Sequence, residues 1–297
     1  MLRRPVPAFR ASGRRLLAAL VPAVALAGLA MSGDGRTGAL PSPAEAGPLT
    51  VATWNMCGVL RWNCAGTGDS DAKREQMERL ATRFKAQVML LQEACAADVE
   101  AVRDALGPSW HSAFQPYTRR DSEGQRSTVR CGASGRGDAG YALLSAYPLT
   151  DVRRVSSPQP DTGVQRGILC AFVAAYDVTV CTAHLTPHVG EGTPAQRDFR
   201  RDQLAALADA VPERRTVYGG DLNVDPPGEH NPDSWVWPEW PYGTHWECDE
   251  GSARATHESR HKLDYLFTDL PRTGCRVIDT GVSDHRALVI QVDSRVG

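Results

Sequence analysis

Several features are missing from the sequence, and each absence argues against a class of protein. It holds no C-x-x-C pair, which argues against a zinc ribbon, and no internal repeat, which argues against a repetitive or fibrous protein. No segment after residue 46 is long and apolar enough to cross a membrane, so we expect no stable membrane insertion. What remains is an ordinary globular composition, with 42% hydrophobic and 23% charged residues.

The first 46 residues differ from the rest of the chain. Five arginines form a basic head, an apolar stretch covers residues 16–31, and a tract rich in Gly, Pro, Ala and Ser follows. This order is typical of a secretory signal with a polar linker, and cleavage is left open between Ala27, Ala30 and Ala46. An uncleaved membrane anchor is the alternative, although the apolar stretch is short for a stable span. We therefore expect a secreted protein with one folded domain at residues 47–297.

Removal of this segment makes the protein acidic. Residues 1–46 hold six arginines and two acidic residues, so 27 basic and 33 acidic residues remain and the formal charge changes from −2 to −6. A protein that binds polyanions without a cofactor is normally basic. If the substrate is anionic, a metal ion must therefore supply much of the positive charge.

The eight cysteines, an even number, point to the same compartment, because disulfides persist in exported proteins. Two predicted strands around a turn at Ala175 and Tyr176 put Cys170 opposite Cys181, close enough for a disulfide after small adjustment. Cys57 and Cys64 could close a short loop. The other four cysteines are assigned by elimination, as Cys95–Cys131 and Cys248–Cys275. Buried free thiols are the alternative.

Hydrophobic periodicity predicts strands that alternate with helices, which indicates a layered α/β fold. Helices are predicted at residues 70–84, 96–106 and 193–210, the last from a capping-box pattern at Thr193. Strands are predicted at residues 49–55, 88–91, 141–145, 168–174, 178–183, 216–218, 263–268 and 287–292. Residues 117–140, with five arginines, are predicted to be an exposed loop, and residues 226–260, with four tryptophans, are the least regular part.

Polar side chains lie where these strands end or begin. They are Asn55, Glu93, His184, Asp221, Asn223, Asp264, Asp284 and His285. Loops at strand ends are where α/β scaffolds place their sites, so we expect these side chains to converge. Each residue alone also has an ordinary structural explanation, as a helix-start charge, a turn residue or an ion-pair partner.

The residue types in this set indicate one kind of chemistry. Carboxylates and amides without cysteine are hard oxygen ligands, which suit Mg²⁺, Mn²⁺ or Ca²⁺ better than zinc. A histidine beside an aspartate can be held in one tautomer and act as a general base. Together these groups suit attack of water on a phosphate ester.

The order of the motifs resembles the endonuclease/exonuclease/phosphatase superfamily, which includes deoxyribonuclease I and bacterial sphingomyelinases. The resemblance covers residues 49–293. It rests on Thr53-Trp54-Asn55, Leu91-Gln92-Glu93, Gly140–Ser145, Thr182–Leu185, Gly219-Gly220-Asp221-Leu222-Asn223, Leu263-Asp264-Tyr265 and Ser283-Asp284-His285. It implies an α/β (α+β) four-layer sandwich of two packed mixed β-sheets flanked by helices.

The resemblance also implies a role for each residue. Glu93 would hold the metal with Asn55 and Asp284, and His285 would be the general base, oriented by Asp264. Asp221 and Asn223 would position the attacking water or the phosphate oxygens, with the division of the base role between Asp221 and His285 left open. His184 would donate a proton or hydrogen bond to the phosphate or leaving group, and Arg166 would contact the phosphate.

The substrate is less constrained by the sequence. The arginines of residues 117–140 are consistent with an arm over a nucleic-acid backbone or with an ordinary solvated loop. The tryptophans of residues 226–260 could stack bases, press into a lipid surface or form a local core. We expect a DNA endonuclease first, with a phospholipid headgroup as the alternative substrate of a sphingomyelinase-like or phosphoinositide phosphohydrolase. A non-catalytic binder on the same scaffold is the second alternative, and we expect a monomer.

Overall fold

The computed structural model of the protein describes residues 47–64, 66–132, 135–188, 198–252 and 254–295. The secretory signal expected in residues 1–46 lies outside these residues, and so does Thr193. The helix predicted at residues 193–210 instead begins at Phe199, because Asp198 has an extended backbone and caps the helix. All of the described residues belong to one compact unit. Within them no helix is long and apolar enough to span a membrane.

The described residues contain fifteen strands, three α-helices and two short helical turns, at Leu60–Cys64 and Ser234–Val236. The strands are β1 (Leu49–Asn55), β2 (Val88–Cys95), β3 (His111–Pro116), β4 (Thr118–Arg120), β5 (Arg126–Thr128), β6 (Ala139–Ser145), β7 (Leu149–Val155), β8 (Gly163–Gln165), β9 (Gly167–Val173), β10 (Val178–His184), β11 (Thr216–Asp221), β12 (Trp246–Glu247), β13 (Asp264–Thr268), β14 (Arg272–Ile278) and β15 (Ala287–Val292). The helices are α1 (Ser70–Thr82), α2 (Ala96–Leu106) and α3 (Phe199–Ala210).

Two six-stranded mixed sheets form the centre of the fold. The first has the order β14-β15-β1-β2-β6-β3 and the second β12-β13-β11-β10-β9-β7. Each sheet has a single parallel pair at its middle, β1 with β2 and β10 with β11, and its other pairs are antiparallel. A small third sheet, β5-β4-β8, lies beside them.

The core has three parts that correspond to the contacts between four layers. Inward-facing residues such as Val51 and Leu90 of the first sheet pack against Val180 and Leu266 of the second. The outer face of the first sheet packs on α1 and α2, and the outer face of the second packs on α3 and the residues near Trp237. Because a strand alternates its side chains, each central strand supplies both cores and is apolar along its length. The four-layer sandwich predicted from the sequence is confirmed.

Four disulfides join the described residues, and they are the four pairs expected from the sequence. Cys170 and Cys181 are directly opposite each other on β9 and β10, as the predicted hairpin register required. Cys57–Cys64 closes the loop after β1, and Cys95–Cys131 ties the end of β2 to the segment after β5. No described cysteine is free.

The prediction of an exposed loop at residues 117–140 is correct only in part, since residues 121–123, 125–128, 130 and 132 are exposed but the segment also forms strands and buries side chains. Strands β4 and β5 lie within this segment and pair with each other, and β4 also pairs with β8. Tyr117 and Val129 are fully buried, and the buried Arg136 forms an ion pair with Asp98 at 2.7 Å. The segment was misread because its buried residues are separated by glycines and arginines and show no strand periodicity.

Loss of the Cys95–Cys131 disulfide is expected to destabilise the fold. The two cysteines are 36 residues apart in the sequence, and a crosslink that closes a loop of this size contributes about 4 kcal/mol by its effect on the unfolded chain. We expect the double variant Cys95→Ala/Cys131→Ala to lose roughly that free energy of unfolding in urea titrations. Cys170→Ala/Cys181→Ala, with a separation of 11 residues, is the matched control, with an expected loss of about 3 kcal/mol. An unchanged stability of the first variant would contradict the prediction.

Candidate active site

Three polar residues lie in one row across the second sheet. His184 on β10 pairs with Asp221 on β11, which in turn pairs with Asp264 on β13. Thr182 lies two residues before His184 on β10, and Leu266 lies two residues after Asp264 on β13; both face the first sheet. Because side chains of a strand alternate with a period of two, His184 and Asp264 point to the same inner face. The row is therefore buried between the sheets at one end of the sandwich.

Asn55 meets this row from the first sheet. On β1 the residues Leu49 and Val51 face the space between the sheets, so Asn55, at the end of the strand, faces it as well. Its Nδ2 donates to Oδ2 of Asp221 at 3.0 Å and to Oε1 of Glu93 at 3.3 Å. The amide therefore connects the carboxylates of both sheets, while its Oδ1 accepts from the backbone N–H of Cys57 at 3.0 Å.

Glu93 reaches the site because of a β-bulge. The register between β2 and β6 shifts between Leu91 and Ala94, where β2 has one extra residue. Glu93 has a φ of 49° there, a left-handed conformation that non-glycine residues seldom adopt. Without the bulge, strand alternation would turn Glu93 toward the outer face with Met89 and Leu91. The bulge redirects its carboxylate to Asn55.

The carboxylate of Glu93 has an incomplete set of hydrogen bonds. Oε1 accepts from Asn55, whereas Oε2 lies 3.6 Å from Sγ of Cys64, a disulfide sulfur with no proton to donate. The residue is 9% exposed, and burial raises the pKa of its carboxyl group to about 7 even though Arg166 lowers it. A buried, under-coordinated carboxylate is suited to a cation.

His285 is held by Asp264. Its Nδ1 lies 2.8 Å from Oδ2 of Asp264, and its Nε2 is 3.8 Å from Oδ2 of Asp221. Burial lowers the pKa of His285, but the two carboxylates outweigh burial and raise it to about 10. The contact with Asp264 leaves Nε2 directed into the site, as a histidine base requires.

Asp221 is at the centre of the cluster. Its Oδ1 accepts from the backbone N–H of Asn223 at 3.0 Å, and its Oδ2 lies 3.4 Å from Nε2 of His184. Burial raises its pKa to about 6, with His285 acting in the opposite direction. Asn223 has a φ of 54°, and its Nδ2 donates to the carbonyl of Leu185. The side-chain amide of Asn223 therefore stabilises the loop after β10 and does not contact Asp221.

His184 is a neutral acceptor in this structure. Nε–H of Arg166 donates to its Nε2 at 3.1 Å, so its proton is on Nδ1, 2.6 Å from the hydroxyl of Tyr117. Burial, followed by the charges of Arg166 and His285, lowers the pKa of His184 well below its usual value. The guanidinium of Arg166 also lies over the ring of Trp62, 5.2 Å from its centre.

Asp284 contacts a different neighbour from the one expected. Its Oδ2 lies 3.4 Å from Nε2 of His257, and among the described residues it has no hydrogen bond to Glu93 or Asn55. The preceding Ser283 donates to the carbonyl of Asn55 at 2.8 Å, which ties the loop to β1. The structure thus brings seven of the predicted residues into one buried group: Asn55, Glu93, Arg166, His184, Asp221, Asp264 and His285. Asp284 lies at the side of this group, and the side chain of Asn223 lies behind Asp221.

The family model described as the Endonuclease/Exonuclease/phosphatase family matches residues 52–285. The chain belongs to this family. No curated protein is similar enough in sequence to match it.

Solved structures of this family are similar in fold. An endonuclease/exonuclease/phosphatase from Beutenbergia cavernae is 20% identical with a TM-score of 0.62, and the match covers 83% of this chain and 72% of that one. The catalytic domain of human Nocturnin is 15% identical, with a TM-score of 0.57 and coverage of 84% and 94%. D. rerio TDP2, complexed with a single-strand DNA product, is 14% identical with the same TM-score and coverage of 82% and 98%.

The sequence did not identify Tyr117 and His257, both of which contact residues of the buried group. The hydroxyl of Tyr117 accepts from the backbone N–H of Glu93 at 3.0 Å, beneath the bulge, and also contacts His184. Tyr117 follows the edge strand β3, whose sequence shows no hydrophobic periodicity, so no sequence pattern indicated that Tyr117 is buried at the site. His257 belongs to the irregular segment 226–260, and only its pairing opposite His285 reveals it.

The hydroxyl of Tyr117 is expected to stabilise the site. Tyr117→Phe would leave the N–H of Glu93 and Nδ1 of His184 without their partner, and a buried donor left unsatisfied costs about 1–3 kcal/mol. We expect a loss of that size in urea unfolding.

The matched control is Tyr218→Phe. The Tyr218 hydroxyl is also buried but has no hydrogen-bond partner among the described residues, so its removal is expected to be neutral or slightly stabilising. Equal effects of the two substitutions would contradict the importance of the Tyr117 contacts.

Proposed function

We propose that the protein is a secreted, divalent-metal-dependent phosphodiester hydrolase that acts as a DNA endonuclease. The observation that carries this proposal is one buried group in which His285, held by Asp264, faces Asp221 and Asn55 beside Glu93. A held histidine, carboxylates and amide donors together suit attack of water on a phosphate diester. Membership of the family supports the reaction class.

A hard divalent cation such as Mg²⁺ or Mn²⁺, or Ca²⁺, fits the donors near Glu93. Oε2 of Glu93 has no N–H or O–H donor among the described residues, and the side chains of Asn55 and Asp221, which are linked to it through the Asn55 amide, carry further oxygen atoms. Glu93 would hold the ion, and Asn55 would contribute through Oδ1 after its amide turns. Asp284 would need to turn from His257 to join them. The ion would supply positive charge for the phosphate and offset the carboxylates that favour protonated His285.

We assign proton abstraction to His285. Asp264 would keep the proton on Nδ1 and leave the lone pair of Nε2 to take a proton from water. Asp221, whose Oδ2 lies between the two histidines, would orient the water through its charge. Arg166 would donate to the phosphate oxygens. His184, whose Nε2 accepts from Arg166 here, would donate to them only after its proton moves from Nδ1 to Nε2. Asn223 would act indirectly, through its backbone contact with Asp221.

DNA is proposed as the substrate because a similar structure, that of TDP2, holds a single-strand DNA product. The lipid alternative depends on exposed tryptophans. Trp235 and Trp246 are the exposed tryptophans of residues 226–252, at 54% and 55%, and Trp235 keeps this alternative open. Trp246 pairs with Thr268, at the opposite end of β13 from Asp264. A membrane contact there would be remote from the site. Trp237 and Trp240 pack in the core around Tyr218 and Phe267, so they are unavailable for lipid.

Secretion is supported by the disulfides. All eight cysteines are paired, and four disulfides in one domain are typical of oxidising compartments.

Plasmid nicking tests the proposed activity. We expect the purified oxidised protein to nick supercoiled DNA with Mg²⁺ or Mn²⁺ and not with EDTA. His285→Ala should lower the rate by about a hundredfold to ten-thousandfold, the range for loss of a general base. His230→Ala, which removes an exposed histidine of a loop, should keep full activity. Absence of nicking by the folded protein with any metal would overturn the nuclease proposal. Release of phosphocholine or of a phosphoinositide headgroup would then support the lipid alternative, and no turnover at all would support a binder.

Metal binding tests the role assigned to Glu93 without any substrate. Glu93→Gln keeps the shape of the side chain but removes its charge, so we expect Mn²⁺ affinity measured by calorimetry to fall by at least about tenfold. Glu75→Gln changes an exposed carboxylate on α1 and should leave the affinity unchanged. Equal Mn²⁺ affinity of Glu93→Gln and the unaltered protein would exclude Glu93 as a ligand.

A further inference from the structure

Two histidines face each other beside the proposed hydrolytic site. His257 and His285 are directly opposite each other on an antiparallel β-bridge. Two backbone hydrogen bonds hold this bridge in place: Glu258 N–H donates to the carbonyl of Asp284 at 2.9 Å, and Arg286 N–H donates to the carbonyl of Thr256 at 2.7 Å. Their ring centres are 4.5 Å apart. Since residues paired in this way have Cβ atoms about 4.5–5.5 Å apart, the backbone fixes this spacing.

A carboxylate completes the cluster. Asp284 Oδ2 lies 3.4 Å from Nε2 of His257. Three possible metal-ligand atoms, one each from His257, Asp284 and His285, lie within 4.8 Å of one another. Their side chains are 20%, 14% and 7% exposed, so the cluster is partly covered but open to an ion. Two imidazoles and one carboxylate are a ligand set for borderline transition metals, in contrast to the oxygen atoms at Glu93.

Each histidine also has a partner on its other ring nitrogen. Nδ1 of His285 contacts Asp264 at 2.8 Å, and Nδ1 of His257 lies 2.6 Å from the hydroxyl of Ser259. Metal-binding histidines are oriented by such outer contacts. The backbone N–H of Ser259 also points at Nδ1 of His257, at 3.1 Å, and favours the tautomer whose Nε2–H donates to Asp284. Metal binding by Nε2 of His257 therefore requires the ring proton to move to Nδ1, from which it would form a hydrogen bond to the Ser259 hydroxyl oxygen.

We propose that His257, Asp284 and His285 form an inhibitory site for Zn²⁺ or a similar transition ion. The ion would take the lone pair of His285 Nε2, which the hydrolytic reaction needs, so zinc would oppose magnesium instead of replacing it. No described thiol competes for zinc, because every described cysteine is in a disulfide. The binding part of this proposal stands by itself, while the inhibition rests on the proposed function.

Binding is measured first, by calorimetry with Zn²⁺ and by the visible spectrum of Co²⁺, without and then with saturating Mg²⁺, because Asp284 is shared with the proposed magnesium ligands. We expect one Zn²⁺ site and a Co²⁺ spectrum typical of a site with nitrogen ligands. His257→Ala should weaken Zn²⁺ binding by roughly a hundredfold or more, and Ser259→Ala by about tenfold, as for loss of an outer contact. The control is His261→Ala, which removes an exposed histidine of the same loop that pairs with Asp225 instead.

Inhibition is measured second, by plasmid nicking with micromolar Zn²⁺ against millimolar Mg²⁺. We expect Zn²⁺ to suppress the unaltered protein and His261→Ala, while His257→Ala stays active and resists zinc. Equal Zn²⁺ affinity of His257→Ala and the unaltered protein would overturn the site. A fall in both Mg²⁺-dependent nicking and Mn²⁺ affinity in His257→Ala would also overturn it, because His257 would then serve the hydrolytic ion. If no nicking occurs at all, the proposed function fails, and the binding experiment still decides the site.

Discussion

The hydrogen bond from Asn55 Nδ2 to Asp221 Oδ2, at 3.0 Å, is the contact on which the site depends. The two residues end strands of different sheets and are 166 positions apart in the chain. They meet because each sheet has one parallel pair at its centre, and the ends of these pairs face each other across the apolar interior. Gln92 makes a second bridge below them, from its Nε2 to Thr182 Oγ1 at 2.9 Å. Packing between the sheets therefore determines how Asp221 and Asn55 meet.

Two buried cations stabilise the loops that leave these strand ends. Lys73 of α1 donates to the carbonyls of Met56 and Val282, both at 2.7 Å, and so connects the residue after Asn55 with the loop before Asp284. Arg200 of α3 donates to the carbonyl of Asn223 at 2.8 Å in the same way. Each cation satisfies carbonyl groups that no strand can pair, which a buried backbone requires. The helices thus contribute to the site by holding backbone, although they supply none of its reactive groups.

The strand ends could be predicted from the sequence because the central strands are buried on both faces. Such strands are continuous apolar runs, as in β1 and β2, and the first polar residue after each run marks the end of the sheet. Edge strands gave no such signal. Strand β7 has Asp151, Arg153 and Arg154 facing solvent, and β14 has Arg272 and Arg276, so neither shows a hydrophobic period. Tyr117 was missed for the same reason, since it follows the half-exposed edge strand β3.

Two further features of the site depend on register, which a sequence does not display. An unbroken β2 would send the side chain of Glu93 to the helices, and only the extra residue opposite β6 turns it inward. His257 likewise belongs to a segment without periodicity, and its importance comes from lying opposite His285. The two cases have different chemical consequences. The bulge leaves an oxygen-rich group around Glu93, whereas the bridge sets two imidazoles beside Asp284. Since His285 borders both groups, an ion bound beside it would decide whether its lone pair is free for a proton.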